Sequence, residues 1–155
     1  MRERTFVFRT VEDPTIEPRP QACPFEDANV FLGAHMYSLE PRDSGGEVVE
    51  EQARAIGTAA ACAAIGGPLE PGALVPFYAE FTFADGTAYA AEGRAQVTSN
   101  DVPLPGVVLA GCALRIVSGP QGLIGGSATS TSIFDPADHA GVGTGSIWTL
   151  RAYFA

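Results

Sequence analysis

Apolar and polar residues alternate along much of this chain, most cleanly between Val75 and Arg94. Phe77, Ala79, Phe81 and Phe83 fall on one face, and Tyr78, Glu80 and Thr82 on the other. Asp85-Gly86 then interrupts the run before a second apolar stretch. A period of two sends successive side chains to opposite faces of a strand, and Asp-Gly tolerates the positive φ that a tight turn needs. The pattern predicts a β-hairpin.

The same signal recurs in weaker form. Residues 5–11 are β-branched and aromatic, 30–39 read as a second strand, and 106–117 form a near-continuous apolar run. Residues 123–134 alternate with Ser and Thr, and 144–154 make the last strand. Residues 47–65 read as strand throughout, although their first part has helical propensity. Between these lie breakers. Pro14, Pro18, Pro20 and Pro24 hold residues 12–28 in an extended, irregular connection. Pro41-Arg-Asp-Ser-Gly-Gly46 and Gly66-Gly-Pro-Leu-Glu-Pro-Gly72 are turn clusters, and 97–105 and 135–143 are loops. About eight strands with turn signals every roughly 8–15 residues, and no amphipathic helix, predict an antiparallel sandwich or closed barrel. Closure removes the edges that would otherwise aggregate, and a barrel of about eight strands holds side chains or one small ligand. Either way the expected fold is all-β and antiparallel, with residues 1–155 as one domain.

Composition narrows the functions. With 46% hydrophobic and 17% charged residues the chain is not disordered. Its net charge is -9 and it has no Lys, so a phosphate backbone is repelled and a side-chain Schiff base is excluded. Nucleic acid is therefore not an expected partner. No run approaches the ~20 apolar residues of a membrane-spanning helix, so no membrane span is expected. The first residues lack a signal-peptide core: a complete chain would be cytoplasmic, and one that has lost its leader would be exported. Cys23, Cys62 and Cys112 form no CxxC pair and no zinc spacing with His. One disulfide plus a free thiol and three reduced thiols are both compatible with that set.

The order of the segments resembles the allene oxide cyclase-like barrel, a calycin-type fold shared with plant dirigent proteins. The stretches that carry it are Arg54-Ala-Ile-Gly-Thr-Ala-Ala-Ala-Cys62, the hairpin over 77–93, the glycine-rich region over 109–126, and Ser146-Ile-Trp-Thr-Leu-Arg151. They cover about two thirds of the chain. The resemblance decides between sandwich and barrel: it implies a single eight-stranded antiparallel β-barrel with an apolar lumen, no cofactor, a small apolar or aromatic ligand, and a homodimer or homotrimer. It implies a cyclase or isomerase that positions a flexible substrate, of allene oxide cyclase or cycloaddition type. The alternative is a non-catalytic dirigent-type or ligand-binding barrel. Arg9 and Val11 stand where the plant cyclases have a carboxylate and an amide, Ala34 stands near another amide, and Cys62 matches the family's cysteine.

Carried over, the resemblance puts Cys62, Phe77, Phe81, Phe83 and Tyr89 inside. Ordinary core packing accounts for the phenylalanines equally well, and a structural disulfide for Cys62. Tyr89 is a catalytic candidate because a buried phenol needs a partner and can donate to a ligand. Trp148, the single tryptophan, is a candidate for a cavity wall or for a contact between subunits. His35 and Tyr37 share one face of their strand and, with Glu80 or Arg9, could form an acid–base group. The expected site is thus Tyr89, Cys62 and His35 for catalysis, and Phe77, Phe81, Phe83, Trp148 and Tyr37 for binding. Asp135, Asp138 and His139 match no metal-site spacing, and no metal is expected.

Overall fold

In the computed structural model, residues 1–39, 41–42, 45–48, 53–140, 142 and 144–155 are described. Ten strands form: β1 (Arg2–Glu12), β2 (Val30–Ser38), β3 (Pro41–Arg42), β4 (Glu47–Val48), β5 (Ala55–Ala63), β6 (Leu74–Phe83), β7 (Ala88–Ser99), β8 (Val108–Ser118), β9 (Leu123–Phe134) and β10 (Gly145–Phe154). Eight of them close a barrel in the order β1-β10-β9-β8-β7-β6-β5-β2, while β3 and β4 make a separate two-stranded ladder. Every pairing is antiparallel, and β1 completes the ring by bonding β10 on one side and β2 on the other. The protein is an all-β, closed eight-stranded antiparallel barrel.

The hairpin forms as its pattern predicts. Gly86 N–H donates to Phe83 O and Phe83 N–H to Thr87 O, and Gly86 takes φ 88°. The alternation then sorts the faces. Phe8, Met36, Ala59, Ala61, Ala79, Phe81, Ala91, Leu114, Ala128 and Leu150 belong to one buried cluster in the lumen. At one end of the barrel aromatic rings fill it: Phe6 lies 4.9 Å from Phe83 and 5.9 Å from Tyr89, and Phe83 lies 6.2 Å from Tyr89.

Three strand boundaries differ from those the sequence suggests, and two of them bear on the site. β1 extends past Val11, which brings Glu12 to the inner face beyond Thr10. β7 runs to Ser99 rather than ending in a loop near Val97, so Val97 is buried against the lumen. The strand read over 47–65 is barrel wall only from Ala55. Its residues 49–52, like residues 43 and 44 of the turn cluster before it, lie outside the described residues.

The proline-rich connection is a strap laid across the outside of the wall. Asp13 N–H donates to Gly33 O at 3.0 Å. Gly33 is required there, because a Cβ on it would meet Ile16 O at 2.5 Å. Further along, Glu80 accepts the backbone N–H groups of Gln21 and Ala22 at 2.7 and 3.0 Å, and Cys23 is disulfide-bonded to Cys62.

Candidate ligand cavity

The end of the barrel opposite the packed rings is not filled. The C-terminal half of β1, β5, β7 and β9 and the N-terminal half of β2, β6, β8 and β10 enclose a cavity of about 120 Å³. Its floor is aromatic: Phe81 meets Trp148 edge-on at 4.9 Å, and Phe77 lies 6.4 Å from the same indole. One wall is apolar and shallow, built by Leu32, Ala34, Ala59, Ala61 and Ala79. Small side chains on adjacent inward positions leave the space that larger ones would occupy.

The opposite wall carries hydroxyls, because the inward positions of β1, β9 and β10 are Thr10, Ser130, Ser132 and Ser146. Their register places Thr10 beside Ser146 and Ser146 beside Ser132. Trp148 Nε1–H donates to Thr10 Oγ1 at 3.2 Å, and Thr10 Oγ1–H donates to Ser146 O at 3.4 Å. Ser132 Oγ lies 2.6 Å from Ser146 Oγ and 2.9 Å from Ser130 Oγ, which accepts the Cys112 N–H at 3.2 Å.

Two ionisable groups border this space. Burial pushes the Cys112 thiol up to about 11, against hydrogen bonds from Ser130 and Ser132 that lower it. At neutral pH it is a neutral thiol rather than a nucleophilic thiolate. Glu12 stands half-buried at the mouth. Its carboxyl is raised above 4.5, first by burial and then by the charges of Asp138 and Asp135. Burial would raise Asp135 too, but the His139 side chain at 2.9 Å and the backbone N–H groups of His139 and Ala137 outweigh it and hold that carboxyl low.

Of the residues expected at a site, Phe77, Phe81 and Trp148 line the cavity. Phe83 and Tyr89 face the lumen but belong to the packed end. The expectation that Cys62 faces inward is corrected. It lies in a separate cluster with Tyr78 and Ala90 and is bonded to Cys23, because the inward positions of β5 are Ala59 and Ala61. His35 and Tyr37 do share a face, but it is the outer one. His35 Nε2 is 2.9 Å from Asp13 Oδ2, and Glu80 is engaged by the strap and by Tyr78 O–H at 2.7 Å instead. His35 therefore helps hold the strap. Sequence reasoning missed Thr10, Glu12, Cys112, Ser132 and Ser146 as cavity residues. Extending the period of two from Phe6 and Phe8 through Thr10 to Glu12 would have found the first two.

Among the described residues no group of three or more His, Cys, Asp or Glu is gathered to hold a metal ion, and no helix is long and apolar enough to cross a membrane. No family model matches the chain, and no curated protein or solved structure matches it. Fold and site together define a closed antiparallel barrel with a half-apolar, half-hydroxylated cavity at one end.

Proposed function

We propose that this barrel is a cofactor-free cyclase or isomerase that holds an apolar small molecule in the cavity and acts by restricting its conformation. The observation that carries this reading is the unfilled lumen, with an aromatic floor and a few polar groups on one side, in a molecule whose other end is packed with rings. Ligand sites are mostly apolar with a small number of placed polar groups. Holding a flexible chain in one near-reactive fold supplies rate without any covalent step. Glu12, with its proton retained to higher pH, is the group that would give or take a proton at the mouth. The resemblance to the allene oxide cyclase-like barrel supports this reading, in which Glu12 would supply the carboxyl that Arg9 cannot.

A second reading is a dirigent-type or carrier barrel that binds without catalysing. It is favoured by the scarcity of ionisable groups on the lining, where among the described residues only Glu12 and a protonated Cys112 stand. The test incubates purified protein with neutral, linear polyenones that close slowly unaided. A faster reaction and a changed stereoisomer ratio without added oxidant, both lost in Phe81→Ala of retained circular dichroism, are expected. Saturable binding with unchanged rate and ratio would sink the catalytic reading and leave the carrier.

A further inference from the structure

We propose that the cavity selects a neutral ring bearing one oxygen, and that Ser146 and Ser132 bind that oxygen. This rests on the reading of the lumen as a small-molecule site and adds what enters it and in which orientation.

The hydroxyl wall is committed at its Cys112 end and least committed at Ser146. Ser130, Ser132 and Ser146 bring three hydroxyl protons, and the links Ser130–Ser132 and Ser132–Ser146 consume two. Cys112 engages the inner end of the chain, its N–H donating to Ser130 Oγ and its thiol hydrogen-bonded with Ser130 and Ser132, so the outer hydroxyl, on Ser146, is the one left to a ligand. If Ser130 donates to Ser132 and Ser132 to Ser146, the third proton stands on Ser146, offered to a carbonyl. If the chain runs the other way, Ser146 donates to Ser132 and keeps a lone pair for a ligand hydroxyl. Hydroxyl hydrogens rotate to suit, so both polarities are open to the same side chains. Thr10 does not compete, since it accepts from Trp148 and donates to Ser146 O. The polar contact is therefore concentrated on Ser132 and Ser146, the two of the three chain serines that line the cavity.

The other wall sets the rest of the ligand. Ala34, Ala59, Ala61 and Ala79 offer a surface with no polar side chain, so the face of the guest opposite its oxygen is hydrocarbon. A cavity of about 120 Å³ is of the order of the ~150 Å³ that accepts a benzene-sized guest, so one ring enters and any tail lies in the mouth. Charge excludes acids. None of the described lining residues is basic, and Glu12 at the rim has Asp135 and Asp138 close enough to raise its carboxyl. An anionic ligand would meet carboxyl groups and no counter-charge.

The test uses phenol, toluene and benzoate as probes. The chain has a single tryptophan, so one indole N–H signal in a nitrogen–proton spectrum reports occupancy beside Trp148. Phenol and toluene should each shift that signal saturably in the wild type, and benzoate should not. In Ser132→Ala with Ser146→Ala, and in Ser146→Ala alone, the phenol-to-toluene affinity ratio should fall by roughly tenfold, the worth of one hydrogen bond. Toluene binding by the same variants shows that the cavity persists. A ratio unchanged in both variants, or benzoate binding as tightly as phenol, would overturn the assignment while leaving the lumen a ligand site. If neither phenol nor toluene moves the signal in the wild type, the lumen reading falls and this inference falls with it.

Discussion

Trp148 Nε1 donates to Thr10 Oγ1 at 3.2 Å across the seam where the last strand meets the first. Both residues are buried, at 3% and 6% exposure, so neither group has ready access to water in place of the other. The bond ties the floor of the cavity to its hydroxyl wall and joins positions 138 residues apart. Thr10→Val keeps the shape and removes the acceptor, leaving a buried indole N–H unpaired. The expected loss is about 1–3 kcal/mol. It should appear as a lower urea midpoint with an unchanged slope, and Thr10→Ser should recover most of it. Equal midpoints for Thr10→Val and wild type would remove the role assigned to this bond.

Tyr89 presents the opposite case. It is 1% exposed, sits between Phe6 and Phe83, and its hydroxyl has no hydrogen-bond partner among the described residues. Burial raises its phenol, with Arg4 opposing and Asp85 adding to the rise. An unpaired buried hydroxyl costs free energy that a phenylalanine does not, so Tyr89→Phe should stabilise the protein by up to about 1–2 kcal/mol. It should leave toluene binding in the cavity unchanged, since the ring belongs to the packed end. A weaker toluene affinity in Tyr89→Phe would return Tyr89 to the site.

The barrel was legible in the sequence because strand alternation and turn chemistry are local. The hairpin from Phe77 to Phe83 and on through Tyr89 carries both signals, and its inward set came out with the correct parity. The parity of β5 did not. Ala59, Ala60, Ala61 and Ala63 carry almost no facial signal, so nothing in 55–63 says which set faces the lumen, and reading Cys62 inward inverted that strand. A slip of one residue moves every side chain to the other face. The hydroxyl wall was hidden for a different reason. Ser130 and Ser132 sit in a run with Ser and Thr on both faces, and only the closed ring, which sets Ser132 against Ser146 and Ser146 against Thr10, shows that their side is the inner one.

The strap supplies a redox-dependent prediction. The Cys23–Cys62 disulfide closes a loop of sequence separation 39, and such a loop is worth roughly 3–4 kcal/mol on the chain-entropy account. Cys23→Ser should therefore lower stability by about that much, and reductant should do the same to the wild type and nothing further to the variant. The ties from Glu80 to Gln21 and Ala22 and from His35 to Asp13 hold the strap without the bridge. Melting followed by circular dichroism with and without reductant checks this. Reductant that leaves the wild-type midpoint in place, with free thiol titrated to confirm reduction, would count against the bridge as a stabilising element.

Glu12 gives the protein a pH dependence whose sign follows from its burial. Its carboxyl holds the proton to a pH above 4.5 when folded, through burial and then through Asp138 and Asp135, whereas the unfolded chain releases it near 4.5. Between those two values the folded state binds more protons than the unfolded one, so stability falls as pH rises through the window. Below 4.5 both states are protonated and the penalty is absent; above the folded value it is fully present. Glu12→Gln cannot ionise and also escapes the repulsion from Asp135 and Asp138. The variant should be more stable than wild type at about pH 8, and the difference should shrink toward about pH 4 as the wild-type carboxyl regains its proton in both states. Urea midpoints across that range measure it. A difference that stays constant with pH, or a wild type that is the more stable at about pH 8, would mean that Glu12 is not held in the low-polarity rim on which its role as proton donor depends.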